Sequence, residues 1–273
     1  MSLRRAVVVQ GARWHGALCR PLSSASAAPA VKEGDHLTLY SYTICPFCCK
    51  AKAMLDFTRT RYSAVEVNPL TKAQLKWSEF SKVPVAVFGS DGRAMNESSR
   101  IVEALLDRLH HAPMAVDKAA FSSAGAKQWS DWSVDELAVY MYPNMTRSWS
   151  ECTTTLQYCE GAKGFSSMDK FLIRNVGAFG MSMAHGKIKQ KYGIEDERTE
   201  LFEKVDAWTA ELAASDGPFR SGTDVPDMAD VSVYGVLRAA AGLPLYAEIA
   251  QRGGAGVQAW LEAMDEATSH PAV

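Results

Sequence analysis

The chain has 273 residues, 47% of them hydrophobic, with 29 Lys and Arg against 31 Asp and Glu for a formal charge of −2. At about 150 residues per domain that length suggests two domains, and the apolar content excludes a disordered or collagen-like chain. No apolar run reaches the roughly 18 residues of a membrane-spanning helix; the nearest, residues 171–184, contains Arg174 and Asn175.

Residues 1–32 hold Arg4, Arg5, Arg13, Arg20 and Lys32 and no acid. On a helix, Leu3, Val7, Trp14 and Leu18 share one face opposite Arg5 and Arg13, and a Ser-rich stretch follows. This is the composition of a cleaved mitochondrial transit peptide; the plainer reading is a disordered basic tail. Without those five cations the rest has 24 positive against 31 negative side chains, or −7. A body that acidic argues against a nucleic-acid binder, which must neutralise phosphates.

From His36 onward short apolar runs alternate with helical periods, as in a layered α/β unit. Strands are expected at 37–41, 63–67, 85–88 and 93–95, the last two joined by a Ser90-Asp91-Gly92 turn. Helices are expected at 48–58, 71–77 and over Ile101, Leu105 and Leu109, giving the order βαβα then ββα. Residues 33–112 thus form one domain and 113–125, rich in Ala, Ser and Pro, a linker. Residues 126–273 read as helical: 126–141, 149–160, 168–191, 196–214, 227–241 and 257–267, with Asp227 and Asp230 spaced for a reciprocal cap.

Six cysteines are too few for a disulfide scaffold in a chain this long. Cys45-Pro46-Phe47-Cys48 joins the first strand to the first helix, which puts Cys45 near exposed N–H groups and the positive end of the helix dipole. Such settings lower thiol pKa values to about 3.5 to 7.5, so the sulfur can attack a disulfide or peroxide. Cys48, nearly a turn later, can resolve a mixed disulfide. Zinc is the competing reading of a cysteine pair, but no second Cys-x-x-Cys is present. Cys49 reads as packing, and Cys152 and Cys159 as small buried hydrophobes. Tyr42 lies in the loop before the pair, where its hydroxyl can donate to a bound oxygen or sulfur, or merely pack. Trp129 and Trp132 read as interdomain core, and Met181 and Met183 as core or cleft wall. Lys187, Lys189 and Lys191 suit the negative end of their helix.

Three features in order, the cysteine pair, Val83-Pro84 placed 39 residues after Cys45, and Glu97-Ser98 opening a helix, resemble the thioredoxin fold of glutaredoxins and of the glutathione transferase N-terminal domain. Further matches are Leu39-Tyr40-Ser41-Tyr42, Leu55-Asp56-Phe57, Val65-Glu66-Val67-Asn68-Pro69 and Asn96-Glu97-Ser98-Ser99, then Trp129, Trp132, Tyr142-Pro143-Asn144 and Met228-Ala229-Asp230-Val231. Over residues 36–267 they are similar to the membrane-associated prostaglandin E synthase type-two family. The resemblance implies an α/β thioredoxin-like, glutaredoxin-type N-terminal domain followed by an all-α, glutathione-transferase-like C-terminal domain. It implies a cis Pro84 and glutathione held by Val83, Pro84, Glu97 and Ser98, with haem able to bind alongside. Tyr42 and Cys45 would face a prostaglandin endoperoxide, assisted by Cys48. Expected partners are glutathione and a small hydrophobic or peroxide substrate, with room for a peripheral membrane contact and for a homodimer. The rival readings are a dithiol glutaredoxin using Cys45 and Cys48, and a haem- or iron–sulfur-binding protein without turnover.

Overall fold

Residues 36–89 and 92–269 are described by a computed structural model of the chain. The basic leader and the tip of the 90–91 turn lie outside them.

β1 (Leu37–Ser41) forms where Leu37, Leu39 and Ser41 alternate inward, all fully buried, while Thr38 and Tyr40 stay half-buried. It pairs in parallel with β2 (Tyr62–Glu66) and antiparallel with β3 (Val85–Phe88), which pairs antiparallel with β4 (Arg93–Asn96). The order β2-β1-β3-β4 makes a four-stranded mixed sheet. The parallel β1–β2 pair requires a crossover, supplied by α1 (Pro46–Phe57). α2 (Ser98–Ala104) follows β4 and tightens into a 3₁₀ segment over Leu106–His111. Against the expected register, β2 starts one residue earlier, and the helix expected at 71–77 is a single 3₁₀ turn, Ala73–Leu75.

The expected linker is not bare chain. It contains α3 (Lys118–Phe121), capped by Asp117 through a 2.7 Å bond from the Ala120 N–H. Phe121 is buried and its ring stacks on Phe57 of α1 at 5.7 Å. One aromatic in an Ala- and Ser-rich stretch anchors the connection.

The helical half comprises α4 (Ala124–Trp132), α5 (Ala138–Asn144), α6 (Trp149–Thr155), α7 (Ser167–Leu172), α8 (Ala178–Tyr192), α9 (Glu197–Ala213), α10 (Met228–Arg238) and α11 (Pro244–Thr268). Two of the expected long helices are interrupted by a turn of π-helix, Ser133–Leu137 between α4 and α5 and Ile173–Gly177 between α7 and α8. α11 begins well before the expected residue 257, because its first turns lead into Gly253-Gly254, where Gly254 has φ +67° and breaks the helical period. The Asp227–Asp230 reciprocal cap forms. Trp129, Trp132, Trp208 and Trp260 make edge-on contacts at 4.7 to 5.4 Å and fill the core of this half. Cys152 and Cys159 are fully buried in a smaller cluster with Leu156, Phe165 and Ile173. Among the described residues no helix is long and apolar enough to cross a membrane.

Candidate active site

β1 runs antiparallel to β3, and β3 to β4, so the end of β1, the start of β3 and the end of β4 lie together. The Tyr42 to Cys45 loop leaves the first, Val83-Pro84 leads into the second, and Glu97-Ser98 follows the third. Topology therefore gathers the candidate site residues of the N-terminal half at one end of the sheet. Tyr42 and Val83 pack against the same small cluster around Val67, Leu75 and Val85.

Cys45 is the N-cap of α1, with extended backbone at φ −88° and ψ 119°. Its N–H donates to the Tyr42 carbonyl at 3.2 Å, and its carbonyl accepts from the Cys49 N–H at 2.9 Å. Pro46 follows in the first turn, where its missing N–H costs no helical bond. The loop is clamped by Glu66, whose carboxylate accepts from both the N–H and the hydroxyl of Thr43 at 2.8 Å.

Cys45 is half-buried and Cys48 fully buried. The Cys48 side chain and the N–H groups of Cys48 and Phe47 face the Cys45 sulfur and favour its charged form, and Lys52 adds positive charge. Together these hold Cys45 below the usual thiol range against the opposing effect of burial. Burial, then the facing Cys45, pushes Cys48 far above that range. Within the pair, Cys45 is thus the sulfur biased toward ionisation and Cys48 the one that keeps its proton. Burial, with the charges of Cys45, Cys48 and Glu66 added, pushes Tyr42 up to about 12, so its phenol keeps its proton at neutral pH. Cys49 packs as expected, donating to the Thr43 carbonyl at 3.1 Å.

The Val83–Pro84 peptide bond is cis. Val83 is half-buried and Pro84 buried at the head of β3. Glu97 is exposed and holds φ +70°, a conformation L-residues rarely adopt. It precedes α2 without a side-chain cap bond, and Ser98 beside it is buried. Such a strained residue persists only where surrounding structure imposes it.

Tyr42 and Cys45 open onto a cavity of about 480 Å³ whose other walls are mostly apolar. The N-terminal half contributes Ile44, Phe47 and Leu70, and the helical half contributes Val139, Tyr142, Met145, Leu156, Tyr158, Met181 and Ile188. The Tyr142 hydroxyl donates to the Met181 carbonyl at 3.1 Å and ties α5 to α8 across it. Both π turns adjoin this wall, in keeping with the preference of such turns for functional sites. Tyr158 was not singled out from the sequence: it sits in a 3₁₀ segment, Leu156–Gly161, where an expected helix ends early. Val83, Pro84, Glu97 and Ser98 lie outside the cavity wall, on the adjoining sheet end. Met181 lines the cavity, but Met183, expected in core or cleft, is 58% exposed. Trp129 and Trp132, expected between the domains, are half-buried and pack on each other and on Trp208 within the helical half. His185 is engaged away from the cavity, its Nδ1 3.1 Å from the Thr146 hydroxyl. Among the described residues no cluster of His, Cys, Asp or Glu is arranged to hold a metal ion.

The profile of the family described as "Glutathione S-transferase, N-terminal domain" matches residues 39–113. Prostaglandin E synthase 2 of Mus musculus is 29% identical over an alignment that takes in 93% of this chain and 76% of that protein. The Danio rerio protein of the same name is 28% identical, over 86% of this chain and 71% of its own. Among solved structures, glutathione S-transferase III in apo form superimposes with a TM-score of 0.53 at 19% identity, covering 84% of this chain and 91% of its own. Glutathione S-transferase-I bound with lactoylglutathione gives 0.53 at 15% identity, covering 84% and 94%. The fold is therefore a thioredoxin-like domain followed by a helical domain, as in those transferases.

Proposed function

We propose that this chain, a homologue over most of its length of the proteins named prostaglandin E synthase 2, binds glutathione at the sheet end beside Cys45. There it would isomerise an apolar peroxide substrate of the prostaglandin endoperoxide type. One observation carries the reading: the Cys45 sulfur, its thiol biased toward ionisation, and a phenol held protonated share the wall of an apolar cavity between two domains.

The residues at the sheet end suit the tripeptide. The Val83 backbone, opposite the Tyr42 loop, offers strand-like hydrogen bonds to its cysteinyl part. Ser98 suits the γ-glutamyl carboxylate and the exposed Glu97 suits its ammonium. Bound glutathione supplies a second thiol at Cys45.

The reaction needs no net electrons. The weak O–O bond breaks, a carbon bearing one of its oxygens loses its hydrogen as a proton, and that C–H electron pair becomes the carbonyl π bond. The Cys45 thiolate is the base available for that proton. The Tyr42 hydroxyl donates to the departing oxygen, which leaves as an alcohol, and the thiol proton then restores the phenol. The apolar walls exclude water and receive the hydrocarbon part of the substrate. Dithiol reduction would require Cys48 to attack as the second thiol, and its burial opposes that ionisation.

Titration of glutathione into the full chain by calorimetry tests the binding half. Cys45→Ser and Ser98→Ala are each expected to weaken binding by about tenfold, roughly 1.4 kcal/mol; undiminished binding in both rejects the site. Incubation of the full chain with endoperoxide is expected to yield the E-type product and Cys45→Ala to abolish it; an unchanged yield in the variant rejects Cys45 as the base. The visible spectrum of the same sample, purified without added cofactor, reports whether haem accompanies it.

A further inference from the structure

A second cavity, of about 450 Å³, adjoins the thiol loop and shares Ile44 and Tyr158 with the cavity that Cys45 faces. α1 contributes Lys52, the end of α6 and the segment after it contribute Thr154, Gln157 and Tyr158, and Arg238 with the chain following α10 closes the rest. That is room enough for a small molecule. Four polar side chains of this wall are without a protein partner. Among the described residues the half-buried Lys52 makes no hydrogen bond or ion pair, and the Thr154 and Tyr158 hydroxyls and the Gln157 amide make no hydrogen bond. They come from both halves of the molecule, and an ammonium partly withdrawn from water without a counter-charge favours an anion. We propose that this cavity is a second ligand site, which takes a small monocarboxylate with an apolar body.

Charge and surface set that class. Lys52 and Arg238 are the charged side chains of the wall. Arg238 is already paired with Asp56 at 2.7 Å, which leaves one positive charge, enough for a carboxylate and too little for a phosphate dianion. Glu66 lines a neighbouring cavity instead, where its two oxygens accept from Thr43. Cys49 adds no competing charge, because burial pushes its thiol up to about 12 and it donates to the Thr43 carbonyl. Two carboxylate oxygens accept several hydrogen bonds, and the Lys52 ammonium, the two hydroxyls and the Gln157 amide offer them. Ile44, Ala241 and Leu243 supply the apolar wall for the rest of the ligand. Gln157, Ala241 and Gly242 are exposed, so the site opens to solvent.

Occupancy would be felt at the thiol. Lys52 also favours the charged form of Cys45, and a carboxylate bound to it cancels part of that effect. The ligand therefore damps Cys45 without entering the cavity that Cys45 faces.

Calorimetric titration of the full chain with octanoate, against uncharged 1-octanol, tests this. Octanoate is expected to bind and octanol not. Lys52→Met and Thr154→Val are each expected to raise the octanoate dissociation constant about tenfold, the worth of one hydrogen bond to a charged group. Lys52→Arg keeps the charge and is expected to restore binding, and Ser98→Ala to leave it unchanged, so a failure here is separable from a failure of the glutathione site. Saturating octanoate is expected to slow iodoacetamide alkylation of Cys45 at pH 7 by about twofold, and the same concentration to slow it less in Thr154→Val. No binding of octanoate at millimolar concentration, equal binding of octanol, or an affinity that Lys52→Met and Thr154→Val both leave unchanged overturns the proposal. The last result would put octanoate in the thiol cavity, whose wall contains neither residue.

Discussion

A thiol becomes a thiolate through the donors turned toward it, and at Cys45 the first of these is another cysteine. The Cys-x-x-Cys spacing puts Cys48 one helical turn on, facing Cys45, and burial keeps its proton in place to be donated. Removing it in Cys48→Ala takes away the largest stabiliser of the thiolate, so the midpoint for Cys45 rises. Iodoacetamide alkylation followed against pH is expected to show that rise, with the rate at pH 7 falling about tenfold per unit of pKa increase once the thiol form dominates. A midpoint that stays put would assign the lowering to backbone N–H groups and Lys52 instead. The thiol pair and Tyr42 stand out in the sequence by motif and position, and Val83, Pro84, Glu97 and Ser98 only through the family resemblance. The Glu66 clamp on Thr43 and the wall residue Tyr158 do not, since each acts across 23 residues or more on a partner that only folding brings near.

At the scale of elements, α1 is held between the sheet and α10. Gly235 of α10 lies so close that a Cβ there would be 2.6 Å from the Cα of Lys50. That approach buries Lys50 completely. Its ammonium donates to the Ser130 carbonyl at 2.8 Å, and burial lowers its pKa to about 8 despite Asp131, Asp135 and Glu103. The folded state therefore releases this proton more readily than the unfolded one, so its cost is full below pH 8 and fades as pH rises toward the unfolded value near 10.5. Lys50→Met keeps the length without the charge, and the Ser133 hydroxyl still serves the Ser130 carbonyl at 2.7 Å. The variant is expected to be more stable than wild type by up to about 3 kcal/mol at pH 7, the advantage shrinking between pH 8 and 10.5. Urea unfolding at pH 7 and pH 10 measures it; equal differences at both would show that Lys50 is not desolvated.

For the whole molecule, the cleft exists only because two differently built halves meet. The sheet end supplies the sulfur and the polar groups, while α5, the Leu156–Gly161 segment and α8 close the apolar side. Residues 1–32 lie outside the described part, and their composition makes a separate prediction: fused to a fluorescent reporter, they are expected to send it to mitochondria, and a diffuse cytosolic signal would refute that. The sequence by itself determined most of the element types and the strand–thiol–helix junction, because hydrophobic period, caps and motif spacing are local. Only the tertiary structure decided the helix interruptions at the π turns and Gly254, the anchoring by Phe121, the burial of Lys50 and the exposure of Met183. Each of these depends on which surface lies opposite, and a residue's neighbours along the chain do not record that.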